Sequence, residues 1–133
     1  MGGKKLSVRG IRGATTVSKN DRESILACTR ELLLALQSAN NLKTEDIVSV
    51  FFSMTPDLNA SFPAEAARQL GWNKVPLFGM QECDIEGSLE KCIRILIQIN
   101  SHQSQEEMQF CYLHEASKLR KDLFDMKEKE NKK

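Results

Sequence analysis

The sequence predicts a single α/β domain built on a mixed five-stranded sheet, with one long helix and one short helix against it. Three observations support this fold class: five hydrophobic and β-branched runs, helical periodicity in two stretches, and the element order β, α, β, α, β, β, β. The 133 residues suffice for one domain. Because two helices are too few to cover five strands, we expect an apolar part of the sheet to face another subunit.

The first strand and the long helix occupy the N-terminal third of the chain. Residues 6–17 alternate in side-chain character, which predicts a strand that carries Arg12 among small neighbours. Asn20, followed three residues later by Glu23, predicts a helix N-cap. Apolar residues then recur with helical spacing as far as Asn40, which predicts a long amphipathic helix.

The remaining elements follow from shorter patterns. Residues 47–53 are hydrophobic and β-branched, and they predict the second strand. A proline near the start and a glycine after the end predict a short helix over residues 64–70. Residues 75–80, 92–99 and 110–113 predict the other three strands.

A charged residue interrupts the most apolar strand. On a pleat the four isoleucines of this strand share one face, whereas Arg94 lies on the other. A guanidinium in such a place requires an anionic partner, which is either an internal carboxylate or a ligand. The strand pattern alone favours the internal ion pair, and for Arg12 it leaves a solvated face and a ligand contact equally open.

Composition and motifs exclude several classes of function. The net charge of +1 lacks the basic footprint of a nucleic-acid-binding protein. Four cysteines and two histidines show no zinc-ligand spacing, and no P-loop, nucleophile elbow or dinucleotide motif occurs. We therefore expect no metal, no nucleic acid and no membrane partner. The lack of a signal-peptide pattern predicts a cytoplasmic protein with reduced thiols.

What remains is a set of cationic and hydrogen-bonding residues on the predicted sheet: Arg12, Glu82, Arg94 and Tyr112. Two arginines with a carboxylate and a phenol suit a small dianionic metabolite. No nucleophile with a convincing histidine partner accompanies them.

Residues 8–17, Val-Arg-Gly-Ile-Arg-Gly-Ala-Thr-Thr-Val, closely resemble the opening of the monofunctional, trimeric α/β class of chorismate mutases. Later motifs resemble this family in the same order, and together they span residues 8–123. They are Thr55-Pro56-Asp57-Leu58, Phe62-Pro63-Ala64, Val75-Pro76, Met80-Gln81-Glu82, Lys91-Cys92-Ile93-Arg94, Tyr112-Leu113 and Leu119-Arg120.

The resemblance implies an isomerase of phenylalanine and tyrosine biosynthesis that converts chorismate to prephenate. This Claisen rearrangement breaks a C–O bond and forms a C–C bond without a cofactor. The resemblance also implies a homotrimer, a pseudo-barrel assembly with its active sites at the subunit interfaces. It divides the chain into an N-terminal extension (1–7), a chorismate mutase domain (8–123) and a charged tail (124–133).

Residue roles follow from the same resemblance. Arg94 matches the family arginine at the breaking ether oxygen and a substrate carboxylate, and Glu82 matches the carboxylate that receives the ring hydroxyl. Arg12 matches a carboxylate-binding arginine, and Tyr112 matches a hydroxyl that assists it. The other expected substrate-binding residues are Phe62, Ala64 and Arg68 from the neighbouring subunit, together with Gly79 and Leu119.

Three positions depart from the family pattern. Relatives can carry a lysine at the position of Glu65, a cysteine at that of Gly79 and a proline at that of Lys121. A noncatalytic trimer that binds a carboxylate metabolite is one alternative to the mutase. An imine deaminase of similar architecture is another.

Overall fold

A computed structural model describes residues 5–120, which form a five-stranded sheet, two α-helices and three short 3-10 segments. The strands are β1 (Ser7–Thr16), β2 (Ile47–Met54), β3 (Leu77–Gln81), β4 (Cys92–Ser101) and β5 (Cys111–Tyr112). The helices are α1 (Arg22–Asn40) and α2 (Ala64–Gln69), and the 3-10 segments are Thr44–Asp46, Gln105–Glu107 and His114–Arg120.

The strand order across the sheet is β3-β2-β4-β1-β5. The central strand β4 pairs antiparallel with both β1 and β2, whereas the edge strands β3 and β5 pair parallel with their neighbours. This topology confirms the predicted mixed five-stranded sheet with one long and one short helix. The tail assigned to residues 124–133 and the departure at Lys121 lie outside the described residues.

The N-cap of α1 is one residue later than predicted. Asp21 caps the helix, because its carboxylate accepts a hydrogen bond from the Ser24 N–H at 2.7 Å. Hydrogen bonds from the backbone and the side chain of Ser24 lower the pKa of Asp21 below its usual value. The prediction of Asn20 as the cap is wrong. Its side-chain oxygen instead accepts from the backbone N–H groups of Asn59 and Ala60, which ties the start of α1 to the loop before α2.

One face of the sheet, here called the closed face, packs against the helices. On β4 the four isoleucines lie on this face, and each is at most 4% exposed. The leucines of α1 that oppose the sheet are equally buried. Gly13 of β1 allows the close approach of α1, since a Cβ there would lie 2.8 Å from the Leu36 Cδ1 atom and 3.2 Å from the Cys111 carbonyl oxygen. Burial of this many aliphatic side chains is the main source of stability.

The opposite face, here called the open face, has no α-helix against it within residues 5–120. Its β5 end alone is covered, where Ala116 of the 3-10 segment His114–Arg120 packs on Ala14 and Cys92. Elsewhere on this face the apolar side chains are partly or largely exposed, and they accompany Arg12 and Arg94 on the same side of the pleat. They are Val8, Phe51, Phe78, Met80 and Leu96. In the described part of the chain, neither helix has the length and apolar character needed to cross a bilayer.

Candidate active site

Arg94 lies at the middle of a row of residues that crosses all five strands. Its strand partners are Ala14 of β1 on one side and Ser53 of β2 on the other. Tyr112 of β5 pairs with Ala14, and Met80 of β3 pairs with Ser53. Paired residues share a face, so Tyr112 and Arg94 lie on the same side of the sheet at two strand spacings, about 10 Å between Cα atoms.

The Arg94 side chain is held at the sheet surface without a complete set of hydrogen bonds. It is 34% exposed, and its Nε lies 3.7 Å from the Glu82 Oε2 atom. That distance allows electrostatic attraction but is too long for a hydrogen bond. Arg94 Nε is buried, and it has no hydrogen-bond partner among the described residues. The internal ion pair expected as one explanation of Arg94 therefore exists, yet it leaves a buried donor unsatisfied.

Glu82 follows β3 directly and is fixed from both its backbone and its side chain. The Glu82 N–H donates to the Met54 carbonyl oxygen at 2.7 Å. The Ser53 hydroxyl donates to Oε2 of the Glu82 carboxylate, which is the oxygen that faces Arg94. Ser53 is a residue that the sequence interpretation missed, because its contact depends on the β2–β3 and β2–β4 registers. These contacts orient the carboxylate toward the open face.

Arg12, Glu82 and Arg94 line one cleft on the open face, with a volume of about 610 Å³. Arg12 pairs with Leu96 in the β1–β4 ladder, and Leu96 lies two residues after Arg94 on the same face of β4. The Arg12 side chain is exposed, as the solvated-face interpretation expected, but it borders the same cleft as Arg94. The cleft thus combines two guanidinium groups with one carboxylate, an arrangement that can bind a small anion carrying a hydroxyl group.

Tyr112 brings a second unsatisfied polar atom to the open face. Its hydroxyl oxygen is buried and lacks a hydrogen-bond partner among residues 5–120. The ring packs beside a small buried cluster that contains Ala14, Cys92 and Ala116, and Leu119 is half-buried against the same cluster. Tyr112 and Leu119, both predicted to bind substrate, therefore lie together at the β5 edge of the sheet. Within the described residues, Arg94 and Tyr112 are the only side chains with a buried, unpaired nitrogen or oxygen.

The other predicted residues lie elsewhere on the chain. Phe62, which is 76% exposed, and Gly79 line a separate cleft of about 350 Å³. Ala64 is buried at the start of α2, and Arg68 projects into solvent from the same helix. Neither Phe62, Ala64 nor Arg68 borders the cleft that contains Arg94. The predicted site residues of one chain therefore lie in three places: the cleft with Arg94, the β5 edge, and the region of Phe62 and α2.

The two departures within the described residues have distinct surroundings. Glu65 forms an ion pair with Arg22 of α1 and accepts a hydrogen bond from the Ser61 hydroxyl at 3.3 Å. Its charge is thus partly compensated by a neighbouring element. At Gly79 an added Cβ would meet no atom within 4 Å, so the position has room for the larger residue of relatives.

The chemistry of the cleft is that of charge and hydrogen bonding. Among residues 5–120, no group of three histidine, cysteine or acidic side chains could hold a metal ion. Burial raises the pKa of Cys92, which lies two residues before Arg94 on the same face of β4, and the guanidinium opposes this effect. Cys92 is therefore a protonated, packed thiol at neutral pH, and it is a poor nucleophile.

The fold and the cleft together define an α/β protein whose sheet carries, on one face, a cleft with the charges needed to bind a small anion. The profile of the family described as chorismate mutase type I matches residues 8–123. The chain is 44% identical over 119 residues to chorismate mutase AroH of Bacillus subtilis (strain 168), which covers 89% of this chain and 94% of the relative. It is 46% identical over 117 residues to chorismate mutase AroH of Thermus thermophilus, with 87% and 96% covered.

A solved structure agrees with these matches. A chorismate mutase from Clostridium thermocellum superimposes with a TM-score of 0.80 at 44% sequence identity, over 81% of this chain and 96% of that chain. The chain belongs to the chorismate mutase type I family. The matches support an isomerase and favour neither the noncatalytic binder nor the imine deaminase.

Proposed function

We propose that this protein converts chorismate to prephenate at the cleft that contains Arg12, Glu82 and Arg94. The observation that carries this assignment is the pair of buried, unpartnered polar atoms, Arg94 Nε and the Tyr112 hydroxyl, on the same open face. Chorismate supplies the groups that such a cleft lacks, namely two carboxylates, an ether oxygen and a ring hydroxyl. The family membership of the chain supports the same substrate.

Arg94 stabilises the negative charge that develops on the ether oxygen as the C–O bond breaks and the new C–C bond forms. The substrate has little charge on this oxygen before the reaction, so the contact strengthens selectively in the transition state. A preorganised cation in a site shielded from water contributes on the order of 3 kcal/mol or more to such stabilisation. The unsatisfied Nε is the donor that supports this role.

The remaining residues hold chorismate in its reactive, chair-like conformation. Arg12 binds one substrate carboxylate, with assistance from the Tyr112 hydroxyl and apolar contact from Leu119. The Oε1 atom of Glu82 accepts a hydrogen bond from the ring hydroxyl of the substrate, since the Oε2 atom already faces Ser53 and Arg94. Selection of the reactive conformer lowers the entropic part of the barrier, because a single substrate rearranges without a second reactant.

The proposal includes a homotrimer with its active sites between subunits. Two observations support it: the open face has exposed apolar residues, and Phe62, Ala64 and Arg68 lie away from the cleft of their own subunit. A neighbouring subunit would bring its Phe62 ring and Arg68 guanidinium to the cleft, and Gly79 would contribute its backbone. The trimer would thereby close the pseudo-barrel and complete the charge around both substrate carboxylates.

We place this reaction in the cytoplasm, within the synthesis of phenylalanine and tyrosine. The four cysteines, all within the described residues, are free thiols, which is typical of a reducing compartment.

The direct test is to follow the absorbance of chorismate and the appearance of prephenate after addition of purified protein. We expect turnover without any added metal or cofactor. A rate equal to that in buffer would refute the assignment.

The shared site has its own test. Arg68→Ala and Arg94→Ala subunits, each inactive or weakly active alone, are unfolded together and refolded as mixed trimers. If sites form between subunits, some sites in the mixture combine an intact Arg68 with an intact Arg94, and activity returns. Mixtures no more active than the average of the two parents would place each site within one subunit.

A further inference from the structure

Lys91, the residue before β4, forms hydrogen bonds with the segments that follow β1 and β2. Both carboxylate oxygens of Asp57 accept a hydrogen bond from the Lys91 N–H, at 3.1 Å for Oδ1 and 2.9 Å for Oδ2. On the other side, the Val17 N–H donates to the Lys91 carbonyl oxygen at 2.8 Å. Lys91 thus connects the end of β1, the loop after β2 and the start of β4.

Thr55 extends this junction by one residue along each strand. Its hydroxyl oxygen accepts the Cys92 N–H at 2.9 Å, and its own N–H donates to the Cys92 carbonyl oxygen at 3.0 Å. The Thr55 hydroxyl in turn donates to Asp57 Oδ1 at 2.5 Å. Thr55 is only 7% exposed, so these hydrogen bonds are protected from water. We call the side chains of Thr55 and Asp57 together the strand clamp.

The strand clamp holds an unfavourable backbone conformation. Lys91 has a φ of 46°, in the left-handed region that residues with a Cβ adopt at a cost of about 1 kcal/mol or more. Without the Asp57 carboxylate, nothing among the described contacts of the Lys91 N–H would favour this conformation over an ordinary extended one. A relaxed Lys91 would change the direction in which the chain enters β4.

Arg94 is three residues downstream of Lys91, near the start of the strand. Its side chain has a loose ion pair with Glu82 and no hydrogen bond at Nε, so local contacts restrain the guanidinium weakly. Its placement therefore depends on the backbone of β4, whose pairing with β1 and β2 begins only at Cys92 and Ile93, directly after Lys91. A displacement of about 1 Å of a catalytic group can reduce a rate by about 100-fold.

We propose that Asp57 is a positioning residue for Arg94, acting through the left-handed backbone of Lys91. This inference rests on the proposed role of Arg94 in the rearrangement. Asp57 itself has no contact with the substrate in this proposal, since it does not border the cleft. It sets where the guanidinium meets the ether oxygen.

Asp57→Ala should lower kcat by about tenfold while KM changes less than about threefold, because the misplaced contact belongs to the transition state. Asp57→Asn keeps one side-chain oxygen that can accept the Lys91 N–H, so it should recover most of the lost kcat. If Asp57→Ala does not fold, Asp57→Asn and the double variants below are compared with wild type instead.

The decisive variant adds Lys91→Gly to Asp57→Ala. Glycine adopts the left-handed region without a Cβ penalty, so the strand entry should be restored and kcat should rise at least about fivefold. Asn41→Gly is the matched control, because Asn41 has a similar φ of 49° but caps the end of α1 instead of leading into β4. Adding Asn41→Gly to Asp57→Ala should not restore kcat.

Three results would overturn the proposal. The first is a kcat of Asp57→Ala within twofold of wild type, even with a lower melting temperature. The second is equal recovery by the Lys91 and Asn41 glycine variants. The third is an unchanged NMR resonance of Arg94 Nε–H in Asp57→Ala, where a shift is expected. This resonance does not depend on activity, so inactive wild-type protein would refute the proposed function while leaving the positioning role testable.

Discussion

The two faces of β4 differ in how deeply their side chains are buried and in whether their polar atoms have hydrogen-bond partners. On the closed face, Ile93, Ile95, Ile97 and Ile99 are buried under the helices, and each contributes apolar burial to stability. On the open face, Arg94 retains an unpaired donor and Leu96 remains 36% exposed. One strand thus separates residues that stabilise the fold from residues available to a ligand or another subunit. Substitutions on the two faces should have effects of different kinds.

The largest effect is expected at Arg94. Arg94→Ala removes the cation that faces the breaking bond in the proposed mechanism, so kcat should fall by at least about 1,000-fold with little change in the melting temperature. Steady-state kinetics and a thermal melt at one protein concentration measure the two quantities.

Citrulline at position 94 sharpens this test, since it keeps the shape of arginine and removes the charge. We expect it to be nearly as inactive as alanine. If the citrulline protein were as active as wild type, the charge of Arg94 would not be responsible for catalysis.

The apolar part of the open face is tested at Phe78, which is 61% exposed and tilts against Phe51 with ring centroids 6.3 Å apart. Phe78→Asp should prevent the proposed assembly, because a carboxylate would be buried without a partner at the proposed subunit contact. Sedimentation velocity at micromolar concentration should then show a monomer, and activity should be lost with the shared sites.

Leu34→Asp is the control for assembly, since Leu34 is 49% exposed on α1, away from the sheet. It should leave the oligomeric state unchanged. A Phe78→Asp protein that sediments like wild type would show that this part of the open face is not an interface.

A closed-face substitution should have the opposite pattern. Ile97 is fully buried between Ile11 and Val50 of the neighbouring strands. Ile97→Ala should lower the free energy of unfolding by about 3 kcal/mol through lost burial and a cavity, while kcat of the folded protein stays within about twofold. Urea unfolding and kinetics at matched protein concentration provide the comparison. A kcat loss approaching that of Arg94→Ala would mean that the two faces are coupled.

The sequence predicted the elements well because their patterns are local. Alternation in residues 92–99 and helical spacing up to Asn40 both report which side chains are buried, and the structure has β4 and α1 there. The cap of α1 was missed by one residue, because Asn20 and Asp21 are both good caps and a contact with the loop near Asn59 decides between them.

The candidate site was only partly accessible from sequence. Arg94 was conspicuous as a charge in an apolar strand, but its ion pair with Glu82 and the Ser53 contact depend on long-range registers. Thr55 and Asp57 appeared as a turn motif, and their hydrogen bonds to the start of β4 could not be derived from composition or periodicity. Local patterns identify which residues are unusual, whereas strand pairing determines what they contact.

The smallest expected effect concerns the reactivity of two cysteines near Arg94. Cys83 is exposed and borders the cleft, whereas Cys92 is buried with a pKa raised by burial. Because the thiolate is the reactive form, iodoacetamide at pH 8 should modify Cys83 at least about tenfold faster than Cys92. Raising the pH should increase the rate at which Cys92 is modified. Burial raises its pKa, so its thiolate forms only at higher pH. Prephenate should slow only the Cys83 reaction, as mass spectrometry of each peptide would show; equal protection of both thiols would indicate a global change in folding instead of occupancy of the cleft.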